Sequence, residues 1–336
     1  MAEAAATGAT QVRDAFSRHR LSWIDALPWV AVVAAYLIFP DYLPLGTQVM
    51  IAAIFALALD LALGYGGVAS LGHAAFFGIG AYAAGLWALY VSSEPVSGLV
   101  AAGVAGGVGA LLAGPLVLRT RGLTRVMMTL AVATLLQSVA NAEWFKPVTG
   151  GADGLFGYEV APLLGRFEFD LGGRTGYWYA AAVMAVIFLL SKAVVNSPFG
   201  LTIRGIRENP VRMRMLGVPV INRLVVLYII SGAFAAVAGG LSAQTATLVG
   251  LGSLDFMQSG NVLVMLILGG IGSLYGAFLG ATLFVILSDR ASAIDPFNWL
   301  FAVGLVLVLA VRFAPQGLVG VIEQFAARAG WRKDGA

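Results

Sequence analysis

Long apolar runs separated by short polar stretches fill the chain, at positions 22 to 39, 46 to 63, 74 to 91, 96 to 117, 124 to 142, 176 to 195, 224 to 248, 256 to 270, 274 to 289 and 297 to 313. A helix needs about 20 apolar residues to cross the hydrocarbon of a bilayer, fewer where its flanks anchor at the interface. The pattern predicts an all-α, polytopic transmembrane helical bundle of about ten spans, some of them broken at glycine. One run, "NVLVMLILGGIGSLYGAFLGATLFVIL", reads equally well as one long helix or as two. Composition points the same way: 60% of residues are hydrophobic and only 11% charged, against about 25% charged in soluble domains.

The distribution of charge decides between one helix and two. Lysine and arginine favour cytoplasmic loops, and the basic clusters are Arg13, Arg18 and Arg20, then Arg119, Arg121 and Arg125, then the segment from Arg204 to Arg214, then Arg312, Arg328, Arg332 and Lys333. Ten crossings put all four clusters on one side, whereas nine would strand the basic C-terminus outside. The expected layout is a cytoplasmic tail over residues 1 to 20, a transmembrane domain over 21 to 322 and a second cytoplasmic tail over 323 to 336. Both termini then face the cytoplasm, and no cleaved signal peptide is read at the polar N-terminus. The longest outer loop, 143 to 175, is rich in glycine and aromatic residues, which argues against disorder and leaves three readings: a cap on a pathway, a docking element, or an ordered hairpin between helices and no more.

Two stretches share a grammar. "LGYGGVASLGHAAFFGIGAYAAG" (63 to 85) and "LGGIGSLYGAFLGATLF" (268 to 284) each carry an apolar half, a glycine cluster, Ser-Leu and a small-residue helix. Both breaks follow an inward-running span, as in a parallel repeat with a pathway between its halves, although glycine-rich turns of unrelated origin in membrane proteins also look alike. Backbone broken at membrane depth must line a cavity or be buried in protein, so the breaks are candidates for a solute pathway. Near them stand polar residues that lipid would not welcome: Asp60, Tyr65, Ser70 and His73 in the first half and Asn261 in the second, with Gln137, Asn141, Gln244 and Gln258 elsewhere. A carboxylate flanked by "FALAL" and "LALG" calls for a pathway or a buried partner. His73 is expected to make a structural hydrogen bond ahead of handling protons or solute.

The loop from 196 to 223 is punctuated twice, since Ser197-Pro198 and Asn209-Pro210 each set a capping side chain before a proline at the first helical position. Gly217 suits a C-cap and Pro219 prevents continuation. Two short helices are expected, the second too short to stand alone in water. Its arginines could serve topology only, bind anionic lipid, or dock a cytoplasmic motor; the caps, prolines and Met/Val face favour docking.

There is no cysteine and there are two histidines, His19 and His73. With no HExxH, GxSxG or GxxxxGK[ST] pattern, no catalytic residue, metal site or cofactor is expected, and nothing points to nucleic acid.

"GYGGVASLGHAAFFGIGAYAAGL", "TGGADGL", "IRENPVRMRMLGV", "ILGGIGSLYGAFLGA" and "FAPQGLVGVI" together, in this order, resemble the LivM-type permeases of branched-chain amino acid ABC importers, over about residues 46 to 322. The resemblance implies an inner-membrane permease that pairs with a LivH-type permease, two ABC ATPase subunits and a periplasmic solute-binding protein. It implies a coupling loop carrying Arg204, Arg207, Glu208, Asn209, Arg212, Arg214 and Gly217. It also places Thr149, Gly150, Gly151 and Asp153 at the outer gate or receptor-docking loop. Val68 stands where the family commonly has glutamine, and Asp60 where it commonly has asparagine, so the solute is open among branched-chain amino acids, urea, amides and aromatic acids. A stand-alone carrier or channel using Asp60 and His73 as a proton relay is the alternative of another class.

Overall fold

The computed structural model describes residues 23–162, 167, 173–313 and 317–321. The tails with Arg13, Arg18, His19 and Arg20, and with Arg328, Arg332 and Lys333, lie outside the described residues, as does Arg166 of the outer loop. The chain forms α1 (Trp23–Ile38), α2 (Leu43–Asp60), α3 (His73–Tyr90), α4 (Pro95–Leu118), α5 (Gly122–Ala140), α6 (Arg174–Asn196), the short α7 (Pro198–Glu208) and α8 (Pro210–Met215), α9 (Val220–Ala246), α10 (Phe256–Gly269), α11 (Leu274–Ile294) and α12 (Trp299–Phe313). Ten of these match the ten predicted spans. Six reach membrane-spanning length and apolarity: Pro40–Tyr65, Pro95–Leu118, Gly122–Ala140, Arg174–Asn196, Val220–Ala246 and Leu274–Ile294. The ambiguous run is two helices, α10 and α11, separated at Gly270 and Gly272, both at positive φ (117° and 85°).

Small residues decide how closely the helices pack. α9 runs through the middle of the bundle against α2, α3 and α4. A Cβ on Gly80 of α3 would collide with the Ala236 carbonyl, and one on Gly239 of α9 with the Phe77 carbonyl. On the α4 side, Gly232 faces the Ala110 methyl 2.5 Å from its ideal Cβ position, and Gly240 faces that of Ala102 at 2.7 Å. Such backbone-to-backbone approach is how membrane helices gain van der Waals contact when lipid tails are as apolar as leucine. The α10–α11 hairpin closes likewise, with Gly269 against the Gly276 carbonyl and Gly280 against the Met265 carbonyl.

Polar side chains pin the ends of helices. The Tyr177 hydroxyl donates to the Val32 carbonyl at 2.7 Å, holding α6 to α1. The Gln244 amide donates to the Pro95 carbonyl at 2.7 Å and its oxygen accepts from Tyr179 at 2.9 Å, tying α9, α4 and α6 at one end. The outer loop is built into this end. Leu155 and Phe156 (β1) pair antiparallel with Val249 and Leu248 (β2), and the Tyr158 hydroxyl donates to the Ala243 carbonyl at 2.7 Å.

Valine at Gly80 or Gly239 puts branched carbons where a carbonyl already stands, and overpacking of this kind costs about 1–3 kcal/mol. The expected result is a clear drop in apparent Tm in detergent for Gly80→Val and Gly239→Val. Gly304→Val, which meets nothing within 4 Å, leaves it unchanged.

Candidate functional site

Helix α2 does not stop at Asp60; it continues as a π turn over Leu61–Tyr65. A π turn widens the helix and frees backbone groups, and it appears most often where a helix carries function. The chain then breaks over 66–72 before α3 begins at His73. Gly67 takes φ +65°, a region open to glycine without penalty.

Inside a membrane each freed N–H and carbonyl needs a protein partner, and the structure supplies one for group after group. Gly66 and Gly67 donate to the carbonyls of Leu61 and Leu63, and Val68 to that of Ala62. The Leu71 amide donates to Thr129 Oγ1 of α5 at 3.1 Å, and that of Ala74 to Ser259 Oγ of α10 at 2.8 Å. The Gly64 carbonyl accepts from Arg207 Nη1, reaching in from α7.

Asp60 is fully buried. Its Oδ1 accepts from the Gly272 amide at 2.7 Å, while Oδ2 has no hydrogen-bond partner among the described residues. Gly272 belongs to the second break, so this contact joins the two glycine clusters across 212 positions of sequence. Arg207 lies over the same spot: its Nη1 stands 3.3 Å from the ideal Cβ position of Gly272, and its Cγ 3.2 Å from that of Gly67. Arg204, one turn earlier on α7, places its guanidinium 5.4 Å from the centre of the Tyr65 ring. The basic segment is thereby seated on both breaks. Gly317, from the closing "APQG" stretch, adds a further support, packing its backbone on Gly269 and Gly270.

The segment itself has the punctuation read from its sequence. Ser197 accepts from the Gly200 amide, and Asn209 from those of Val211 and Arg212. Gly217 sits at φ +80°, and the bonds from Gly217 N to Arg214 O and from Val218 N to Met213 O close a Schellman cap. Ile203 and Ile206 are buried, whereas Arg207, Glu208, Asn209, Arg212 and Arg214 are exposed. Met215 (83% exposed) and Leu216 (70%) stand out among them as exposed apolar side chains.

His73 has a different setting. Ser231 donates to the Ala58 carbonyl at 2.6 Å, so its oxygen must accept from His73 Nε2–H at 2.8 Å; Nδ1 then accepts from Ser70 at 2.9 Å. With edge-on contacts to Phe76 and Tyr228, the imidazole and Ser70 brace the start of α3 against α2 and α9. Asn261 is half-buried on α10, half a turn beyond Ser259.

At the opposite end of the bundle, Thr149 is buried and donates to the Ala140 carbonyl at 2.6 Å. Gly150 and Gly151 take φ +75° and +60°, turning the chain so that Asp153 is exposed at the tip. A cleft of about 550 Å³ opens at the α2–α6–α9 end, lined among others by Thr47, Gln48, Ser242, Gln244 and Thr245. Sequence reasoning did not assemble this cleft, nor Thr129, Ser231, Ser259 and Gly272. Single serines and threonines in apolar helices carry no spacing signal that names their partners.

The matching family model is described as "Branched-chain amino acid transport system / permease component" and covers residues 43–311. The chain is 30% identical to the high-affinity branched-chain amino acid transport system permease protein LivM of Salmonella typhimurium and to that of Escherichia coli, in each case over 88% of this chain and 74% of the relative. It is 26% identical to a probable branched-chain amino acid transport permease protein LivH of Methanocaldococcus jannaschii, over 62% of this chain and 67% of that one. No solved structure matches it. This broken-helix membrane bundle therefore belongs to the family of branched-chain amino acid transport system permease components.

Proposed function

We propose that the chain is one permease subunit of an ABC importer for branched-chain or related amino acids in a bacterial inner membrane, with both termini cytoplasmic. It would pair with a LivH-type permease, take its solute from a periplasmic binding protein at the loop holding Thr149, Gly150, Gly151 and Asp153, and be driven by two separate ATPases. The observation that carries this reading is the Arg207–Gly64 contact, which connects an exposed, doubly capped basic segment to the break in α2. A loop that served only charge topology would have no need of that contact. The permeases named LivM and LivH to which the chain is similar support the solute class and the homologous partner.

The geometry supports the following cycle. Solute enters by the polar cleft near Gln48 and Thr245 and moves between the two permeases towards the breaks. Closure of the ATPases pulls on α7 and α8, and Arg207 carries the displacement to the π turn, where a broken helix yields more easily than a continuous one. Membrane lipid surrounds the outer faces. A proton relay from Asp60 through His73 is disfavoured, because both imidazole nitrogens are committed to Ser70 and Ser231.

In the reconstituted importer, loaded binding protein should stimulate ATP hydrolysis. Arg212→Glu and Glu208→Arg are expected to lower that stimulation about tenfold, within the range of reversing a charge at a docking contact, while solute binding to the receptor is unchanged; full stimulation in both variants argues against docking. In vesicles, uptake should require ATP and receptor and ignore an imposed proton gradient. Uptake that follows the gradient without ATP would mark a stand-alone carrier instead.

A further inference from the structure

Asp60 holds a position that the transport reading leaves unexplained. It is a fully buried carboxylate at the last turn before the π segment, with one oxygen bonded to a backbone amide of a distant loop and the other, among the described residues, to nothing. Among the described residues, no cation donates to it directly. Arg207, which acts on it electrostatically, directs its Nη1 to the Gly64 carbonyl instead. A carboxylate kept there for charge alone would take the guanidinium itself, since an ion pair with two aligned hydrogen bonds outweighs one bond to a neutral carbonyl.

The packing shows what Asp60 does instead. A Cβ on Gly64 would collide with Asp60 Oδ1 and lie 2.7 Å from the Gly272 amide nitrogen, and a Cβ on Gly272 would lie 3.6 Å from the Gly64 carbonyl oxygen. The two breaks therefore touch backbone to backbone at Gly64 and Gly272. Between them, where the chain turns at φ +85°, the Gly272 N–H donates to Asp60 Oδ1. Arg207 Nη1 donates to the Gly64 carbonyl and stands 3.3 Å from the ideal Cβ position of Gly272.

We infer that Asp60 is a positioning residue: its Oδ1 braces the second glycine break against the first, so that a displacement of Arg207 moves the two as one body. This deepens the importer reading and rests on it for what moves Arg207, but the brace itself is a property of the isolated chain. The brace needs an acceptor and not a charge, because Oδ2 has no partner. Asparagine at 60 keeps the acceptor and alanine removes it. Gly64→Ala disrupts the same contact from the other side with Asp60 intact.

The absence of cysteine allows a direct test in the full-length protein. Ala69→Cys on the first break and Ile271→Cys on the second, the latter 45% exposed, carry a spin-label pair whose distance distribution is measured in detergent without nucleotide. The unsubstituted and Asp60→Asn proteins are expected to give the same narrow distribution, and Asp60→Ala and Gly64→Ala broader, longer ones. In the reconstituted importer, D60A should hydrolyse ATP at the basal rate yet transport about tenfold less solute per ATP, a loss in the usual range for coupling between two sites, with D60N restoring it. A D60A protein that keeps the narrow distribution overturns the brace, and so does a D60N protein that loses it. Altered distances with unchanged transport per ATP overturn its role in coupling. Failure of the importer reading looks different: transport independent of ATP in the unsubstituted protein, with the distance response to D60A intact. If D60A and G64A do not accumulate, D60N still decides, since its distances and transport per ATP must match those of the unsubstituted protein.

Discussion

A helix interrupted inside a bilayer leaves amide and carbonyl groups that water cannot reach, and the protein must satisfy them from its own side chains. That requirement organises this structure. The first break takes Thr129 from α5, Ser259 from α10 and Arg207 from α7; the second takes Asp60 from α2. Each partner comes from a different helix, so the breaks become the junction where the bundle is tied together. Asp60 and Gln244, which look misplaced in the sequence, each answer a backbone group elsewhere in the bundle.

The same junction explains where flexibility and stiffness lie. Helices α3, α4 and α9 meet through glycine and alanine with carbonyls almost in contact, and a core packed that closely moves as a unit. The π turn and the two glycine clusters interrupt this stiffness at one end only. There the capped segment from Pro198 to Gly217 makes its contact, with buried isoleucines towards the bundle and exposed arginines, Met215 and Leu216 away from it. At the far end the β1–β2 pair and the Gln244–Pro95–Tyr179 bonds hold the loop and the mouth of the polar cleft in fixed relation.

Much of the fold was legible in the sequence because the bilayer enforces one simple rule, about 20 apolar residues per crossing. The ten runs fall on ten helices, and charge alone separated α10 from α11. The caps at Ser197 and Asn209 were equally plain, since capping is a local code of one side chain and one proline. The candidate site was legible in its ingredients, the two glycine clusters, Asp60 and the arginines, but not in its assembly. Nothing near Asp60 announces that its partner is the amide of Gly272, because a backbone N–H has no residue identity to read. Likewise, the sequence around Leu61 to Tyr65 gives no sign of a π turn, which tertiary contacts impose.

The central claim, that a separate ATP-hydrolysing subunit grips the segment seated on the breaks, is tested most directly at Met215. With Met215→Cys as the only thiol in the chain, a membrane-impermeant maleimide is applied to right-side-out and inside-out vesicles, with and without the ATPase subunits. The account predicts labelling only in inside-out vesicles, and its suppression once the ATPases are bound. Labelling from the right-side-out face, or labelling from inside that the ATPases leave undiminished, would contradict it.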